Sequence, residues 1–303
     1  MPAPKYSIAE LNVNAPRRSM ARLHLPFHFF LGLALVAIFW FAAWTHLGVL
    51  GEHSFFPLWL GYIFTVDGLV ARRTGASLLM RAPRDFVLLF FLSAPIWWVF
   101  EGLNDFVLNW HYLIPADYSV AQMIVESTIA FSTVIPAVFE TTELILSFDF
   151  IEHWRGASHF DLSPRLLWSM MFMGAFGFAA LVLAPRYAFP LTWVWLALII
   201  DPLNHLRGRA SLIAQLARGD YRTLIGLASG VLICGFFWEM WNYCSFPKWY
   251  YTVPFFGWLH VFEMPLLGYL GYIPFAWELY ALSQWVWGMR QRPVRFLALT
   301  NCQ

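Results

Sequence analysis

The stretch PFHFFLGLALVAIFWFAAWTHLGVL, residues 26–50, runs for about 25 positions without an acidic side chain, lysine or arginine. Crossing a hydrocarbon core of about 30 Å takes roughly 20 predominantly apolar residues in a helix. The stretch is longer than the apolar region of a cleaved signal peptide, and no clear small-residue cleavage site follows it, so it reads as a retained first span. The whole chain has the same character: 60% of its 303 residues are hydrophobic, 19% aromatic and 12% charged, against roughly 25% charged in soluble domains. Residues 26–50 therefore set the fold class as an all-α, polytopic membrane helical bundle.

Hydropathy and loop punctuation place about eight transmembrane helices, near 26–50, 54–72, 84–109, 119–148, 164–184, 189–206, 222–246 and 254–288. Pro136 is expected to kink the fourth, and Pro265 and Pro274 to tilt, kink or break the last. Arg17, Arg18 and Arg22 precede the first span, and Arg72, Arg73, Arg81 and Arg84 lie between the second and third. Arg207, Arg209, Arg218 and Arg222 lie between the sixth and seventh, and Arg290, Arg292 and Arg295 follow the last. The alternate loops carry few charges, so the positive-inside rule puts both termini in the cytoplasm, in the bacterial inner (plasma) membrane. A net charge of +1 gives no reason to expect nucleic acid. Three cysteines, Cys234, Cys244 and Cys302, form neither a disulfide framework nor a metal spacing, and the first two are expected to pack within one helix.

The chain repeats itself. FPLWLGYIFTVDGLVARRTGASLL from Phe56 matches FPLTWVWLALIIDPLNHLRGRASLI from Phe189, pairing Asp67 with Asp201, Arg73 with Arg207 and Ser77 with Ser211. Glu101 and Asn104 pair with Glu239 and Asn242, and Trp110, Tyr112 and Pro115 with Trp249, Tyr251 and Pro254. Glu126, Pro136 and Glu140 pair with Glu263, Pro274 and Glu278. The offset grows only from about 133 to about 139 residues along the chain, which makes the match a duplication. The expected layout is a cytoplasmic tail over 1–22, membrane repeat one over 23–150, repeat two over 151–289 and a cytoplasmic tail over 290–303. Two four-helix repeats of like orientation are related by an axis along the membrane normal, which brings equivalent residues to equal depth.

The acids carry the chemistry. Glu101 and Asn104 share a helix face, as do Glu239 and Asn242. With Glu126 and Glu263 they are expected to form an outer layer; Glu140 and Glu278, with Asp67 and Asp201, form an inner one, in which Glu140 and Glu278 are expected to bind substrate. An ionised acid at mid-membrane costs roughly 3 kcal/mol on insertion scales, and burial raises a carboxyl pKa by as much as about 3–5 units. Buried neutral glutamates are proton donors, and two in contrasting environments make an acid and a base. The competing reading is structural, with the acids and asparagines as interhelical struts worth about 0.6 kcal/mol each, and Asp67 and Asp201 paired to Arg73 and Arg207. Trp97, Trp98, Trp238 and Trp241, within a turn of the outer acids, suit the lining of a cavity in which a cation forms. Trp110, Tyr112, Trp249 and Tyr251 at span ends fit interfacial anchors.

Some chemistries have no motif here. No GxGxxG follows a strand and no GxSxG is present. No paired DxxxD occurs, and among the nine histidines only His24 and His28 make a helical pair near a span. No cofactor or metal is expected.

In this chain the order acid, Trp-x-Tyr, Pro, acid stands twice: Glu101, Trp110, Tyr112, Pro115, Glu126, and Glu239, Trp249, Tyr251, Pro254, Glu263. That order, together with the duplication, resembles the heterodimeric or tandem-fused membrane lycopene cyclases and the related carotenoid hydratases. The resemblance implies proton-initiated cyclisation, hydration or isomerisation of a carotenoid or other isoprenoid, with no redox step. The acid donors would be Glu101 and Glu239, oriented by Asn104 and Asn242, with Glu126 and Glu263 relaying the proton. Partners are then a lipid-soluble small molecule and membrane lipid; the sequence names no protein partner. Two other classes remain open: a proton-coupled transporter using both glutamate layers, and a non-catalytic subunit binding a pigment or quinone.

Overall fold

The computed structural model describes residues 24–156 and 158–289. The expected tails 1–22 and 290–303, with their arginines and Cys302, lie outside the described residues. The helices are α1 (Phe27–Trp44), α2 (Gly48–Glu52), α3 (Phe55–Thr74), α4 (Leu78–Arg81), α5 (Pro83–Val107), α6 (Val120–Phe131) and α7 (Val134–Leu146). They continue with α8 (Pro164–Leu183), α9 (Pro185–Ala188), α10 (Trp195–Leu206), α11 (Leu212–Ala217), α12 (Arg222–Tyr243) and α13 (Tyr269–Met289). Among the described residues, five helical stretches are long and apolar enough to cross a membrane: 27–44, 83–107, 120–146, 164–183 and 222–243.

The exposed faces say what surrounds the bundle. In α1 only Gly32, Ala42 and Ala43 are buried, while Phe27, Phe30, Ile38 and Phe41 are exposed. In α8, Trp168, Phe172, Phe176 and Leu183 point outward. A helix apolar on all sides with most of its surface uncovered is stable in lipid and not in water. The protein is a helical membrane protein.

Inside the bundle, α7 packs against α3, α5 and α12, and α13 packs against α10 and α12. Glycines allow the tightest approach: a Cβ on Gly32 would stand 2.6 Å from the Gly61 carbonyl oxygen, and one on Gly61 would stand 2.8 Å from that of Gly32. This is the small-residue contact that joins membrane helices by dispersion.

Several sequence expectations change. The expected helix over 119–148 is two helices, and the chain breaks at Ser132–Thr133; Pro136 sits in the first turn of α7, where its missing N–H costs nothing. The stretch 189–206 is a 3-10 turn over Phe189–Trp193 followed by a helix of 12 residues, about 18 Å long. Residues 254–265 are not helical; a 3-10 turn covers Leu266–Gly268 and α13 starts at Tyr269. Pro254, Gly257, Pro265 and Gly268 punctuate that segment, and apolar content alone does not overcome such breakers. The fold is also not wholly α. Strand β1 (Trp110–Leu113) pairs antiparallel with β2 (Lys248–Tyr251), and β3 (His260–Val261) pairs with β4 (Met264–Pro265). Cys234 is buried in α12, whereas Cys244 lies just past its end and is exposed.

The β1–β2 register is Trp110 opposite Tyr251, His111 opposite Tyr250 and Tyr112 opposite Trp249. Trp110 and Trp249, and Tyr112 and Tyr251, are the matched residues of the two sequence halves. The ribbon therefore pairs each motif with its own copy, about a centre at His111 and Tyr250, whose rings lie 5.2 Å apart.

Candidate functional site

Each strand leaves a helix end carrying a Glu and an Asn. The asparagine is a clamp: Asn104 Nδ2 donates to the Trp110 carbonyl at 2.7 Å, and its Oδ1 accepts the N–H of Asn109 at 2.9 Å and of Trp110 at 3.3 Å. Asn242 Nδ2 donates to the Trp249 carbonyl and its Oδ1 accepts the Trp249 N–H, both at 2.8 Å. An amide serves one peptide's donor and acceptor together, which a carboxylate cannot do. The expectation that Asn104 and Asn242 orient the glutamates is thereby corrected: they hold the strands.

The strands bring tyrosines onto the acids. Glu101 Oε1 accepts Tyr112 Oη at 2.6 Å, Trp97 Nε1 at 2.8 Å and Trp110 Nε1 at 3.1 Å. Glu239 Oε1 accepts Tyr251 Oη and Tyr272 Oη, both at 2.8 Å, while Trp249 Nε1 donates to Tyr251 Oη at 2.9 Å. Glu239 is fully buried and its Oε2 has no hydrogen-bond partner. Loss of water around the hydroxyl, with the Glu239 carboxyl beside it, pushes the Tyr251 phenol well above its ordinary pKa. The same causes act on Tyr112 beside Glu101. Both phenols accordingly keep their protons and donate them to the acids.

A cavity of about 260 Å³ lies between these groups. Its wall includes Trp97, Trp238, Trp241, Tyr112, Tyr251 and Tyr272. Further aromatics back this wall: Trp59 lies with its ring centroid 5.1 Å from those of Trp238 and Trp241, and the lining Trp193 stacks on Phe100 at 5.7 Å and on Trp110 at 5.6 Å. Glu101 and Glu239 are not on the wall; the tyrosines bonded to them are. Trp98 is also absent from the wall; it is 36% exposed and bonded to Thr128 at 3.1 Å.

The outer layer of four matched glutamates is not what forms. Glu126 lines the cavity with His53, whose Nδ1 lies 3.3 Å from Glu126 Oε1, and both side chains are 43% exposed. Glu52 and Tyr118 line the same end. Glu263 stands in the β3–β4 turn, ion-paired to Lys248. Its place in the chain is a hairpin and not the start of a span, so it cannot mirror Glu126.

The inner acids divide by half. Asp201 is saturated by the N–H of Leu212 and of Ile213, each at 2.8 Å, and by Ser211 Oγ at 3.0 Å; it caps α11 together with Ser211, whose Oγ accepts the Ala214 N–H. Asp67 and Ser77 repeat the cap on α4, with Asp67 Oδ2 accepting the Leu79 N–H at 3.0 Å. The free oxygen of Asp67 lies 2.8 Å from His28 Nε2. Glu140 lies against Asp67, with Glu143 and Arg81 as its other charged neighbours, and Arg81 is ion-paired to Glu143. Glu278 instead accepts the Leu196 N–H at 2.9 Å. Neither Glu140 nor Glu278 reaches the cavity, since each is turned into a helix contact, so the substrate-binding expectation for both is corrected. The arginines expected beside the aspartates go elsewhere: Arg73 binds Ser147 and covers the Phe148 ring at 3.7 Å, and Arg207 covers Trp285 at 4.6 Å.

Sequence reasoning missed Tyr272 and His28. Tyr272 lies 33 residues from Glu239, and no helical or strand spacing links them. His28, by contrast, heads a helix whose other neighbours are apolar, a signal of a buried partner.

No protein-family model, no curated protein and no solved structure matches the chain.

Proposed function

We propose that this is an integral membrane enzyme that performs acid–base chemistry on a lipid-soluble alkene of the isoprenoid class, held in the aromatic cavity. The observation that carries the reading is the repeated glutamate–tyrosine pair, with the tyrosine on the cavity wall and the carboxyl behind it. In the proposed sequence the Tyr251 or Tyr272 hydroxyl turns from Glu239 and gives its proton to one alkene carbon, leaving a carbocation, while protonated Glu239 returns a proton to the phenol. Loss of a proton from a neighbouring carbon to the Tyr112 oxygen, as Tyr112 passes its own proton to ionised Glu101, gives isomerisation; attack of a second double bond of the same substrate on the cation before that loss gives cyclisation. The tryptophan faces stabilise the intermediate charge, by about 2 kcal/mol or more where water is excluded. The isoprenoid class follows from the likeness of the two acid–Trp-x-Tyr–Pro segments to the tandem-repeat lycopene cyclases and carotenoid hydratases. We further infer eight spans in two parallel four-helix repeats, with the arginine-rich loops and both termini in the cytoplasm of a bacterial inner membrane. The matched asparagine clamps and the matched aspartate–serine caps support the duplication.

Chromatography of isoprenoids extracted from cells expressing wild type, Glu239→Gln or Glu101→Gln tests the reading. Profiles that differ from wild type support it, and identical profiles in all three overturn it. One observation favours a second reading, a proton-coupled transporter: the first half alone gathers His28, Asp67, Glu140, Glu143 and Arg81 at the inner level. A pH-driven flux in liposomes that Glu140→Gln abolishes, with isoprenoid profiles unchanged, selects that reading.

A further inference from the structure

The segment between β2 and α13 has no place in a span. Residues 252–268 contain only two short paired strands and a 3-10 turn over Leu266–Gly268, and the turns at 254–255 and 257–258 lie outside any helix or strand. Exposed peptide groups cannot sit in hydrocarbon, where nothing satisfies their hydrogen bonds.

Its side chains are equally unsuited to water. Trp258 is 74% exposed and Leu259 46%, with Val261, Leu266, Leu267 and Leu270 also exposed. Across 252–270 the one charged group is Glu263, already paired with Lys248. Two bulky residues, Phe255 and Phe262, hold φ of 69° and 58°, a conformation that only surrounding packing sustains. That packing is aromatic: Phe255 stacks on Tyr187 at 5.9 Å, and Phe262 contacts Phe236 at 5.6 Å and Tyr243 at 5.7 Å. Phe236 and Tyr243 are themselves 44% and 49% exposed on α12, so the apolar patch continues the lipid-facing side of a membrane-spanning helix.

Irregular backbone excludes the segment from the bilayer core, and an apolar surface continuous with a lipid-facing helix excludes it from bulk water. We propose that residues 255–267 form a strap seated in the bilayer interface, with Trp258 and Leu259 inserted among phospholipid headgroups and upper acyl chains. Tryptophan at the headgroup level is the usual anchor of such elements. Met264, on the inner side of the strap, lines the cavity together with Gly268 just past its end, so the strap is the partition between the aromatic chamber and lipid.

Spin-label accessibility in the full chain tests this, independently of any chemistry in the cavity. In a Cys244→Ser, Cys302→Ser background that keeps the buried Cys234, a label is attached at Trp258→Cys, Leu259→Cys or, as a water-facing control, the exposed His159→Cys. The protein is reconstituted into vesicles of phosphatidylcholine and phosphatidylglycerol. The expected result is a several-fold higher ratio of oxygen to water-soluble nickel-chelate collisions at 258 and 259 than at 159. Equal ratios at all three sites place the strap in water and overturn the proposal. Shielding of 258 and 259 from both reagents, the signature of contact with a second copy of the chain, overturns it too. Leu259→Cys gives the same readout should Trp258→Cys fail to insert.

Discussion

Tyr251 donates its phenol hydrogen to Glu239 Oε1 across 2.8 Å. The acid sits on α12 and the tyrosine on the strand that follows, and Asn242, on the same helix, grips that strand by the Trp249 peptide. Acid, clamp and phenol thus form one local unit, and Glu101, Asn104 and Tyr112 make the same unit in the first half.

Tyr251→Phe removes one of the two phenols on Glu239 Oε1. A hydrogen bond is worth about 0.5–1.5 kcal/mol net to a neutral group and about 1.5–3 kcal/mol to a charged one, and Tyr272 retains part of it. The unfolding midpoint in a denaturing-detergent titration should fall by the equivalent of about 1–2 kcal/mol; Tyr251→Phe combined with Tyr272→Phe should exceed the sum of the single losses, because the second change leaves the buried carboxyl without a phenol donor.

Asn104→Ala and Asn242→Ala each leave a strand peptide without its donor and acceptor. Each should cost roughly 1–3 kcal/mol by the penalty for an unsatisfied buried group, and Asn→Asp should recover only the acceptor half. Variants indistinguishable from wild type in the same titration would remove the clamp from the account.

Gly32 and Gly61 face each other, so a side chain at either meets the carbonyl of the other at 2.6 and 2.8 Å. Gly32→Val and Gly61→Val should each destabilise by about 1–3 kcal/mol, the usual range for overpacking. The double variant should cost less than the sum, since one separation of α1 from α3 relieves both clashes.

Asp220 binds Arg222 through Nε at 2.9 Å and Nη2 at 2.8 Å, and these bonds hold its carboxyl below the usual carboxylate range. A carboxyl depressed in the folded state stabilises fully above its unfolded pKa of about 3.9 and loses that stabilisation as pH falls through the lower folded value. Wild type should therefore lose stability on acidification through that window more steeply than Asp220→Asn. Parallel curves would show that the Arg222 contact carries no linkage.

Much of the bundle is a property of single segments and was legible. Phe27–Trp44 reads as a span because its length and apolar content suffice by themselves. The Asp67–Ser77 and Asp201–Ser211 caps repeat at a fixed offset, so the duplication showed them as matched before their hydrogen bonds were known. Residues 254–268 misled because hydropathy counts apolar side chains and is blind to the backbone; Pro254, Gly257, Pro265 and Gly268 turned the start of a presumed span into a hairpin, and Glu263 went with it to Lys248.

From the sequence alone came the apolar helices of a membrane protein and the matched residues of its two halves, since partition into lipid and self-similarity are local sums over residues. The tertiary structure alone decided which oxygen each acid spends and on what: Glu239 on two phenols, Asp67 on His28, Glu278 on a peptide N–H. Those choices rest on donors brought together from segments far apart in the chain, and a buried carboxyl takes whichever donor the packing delivers to it.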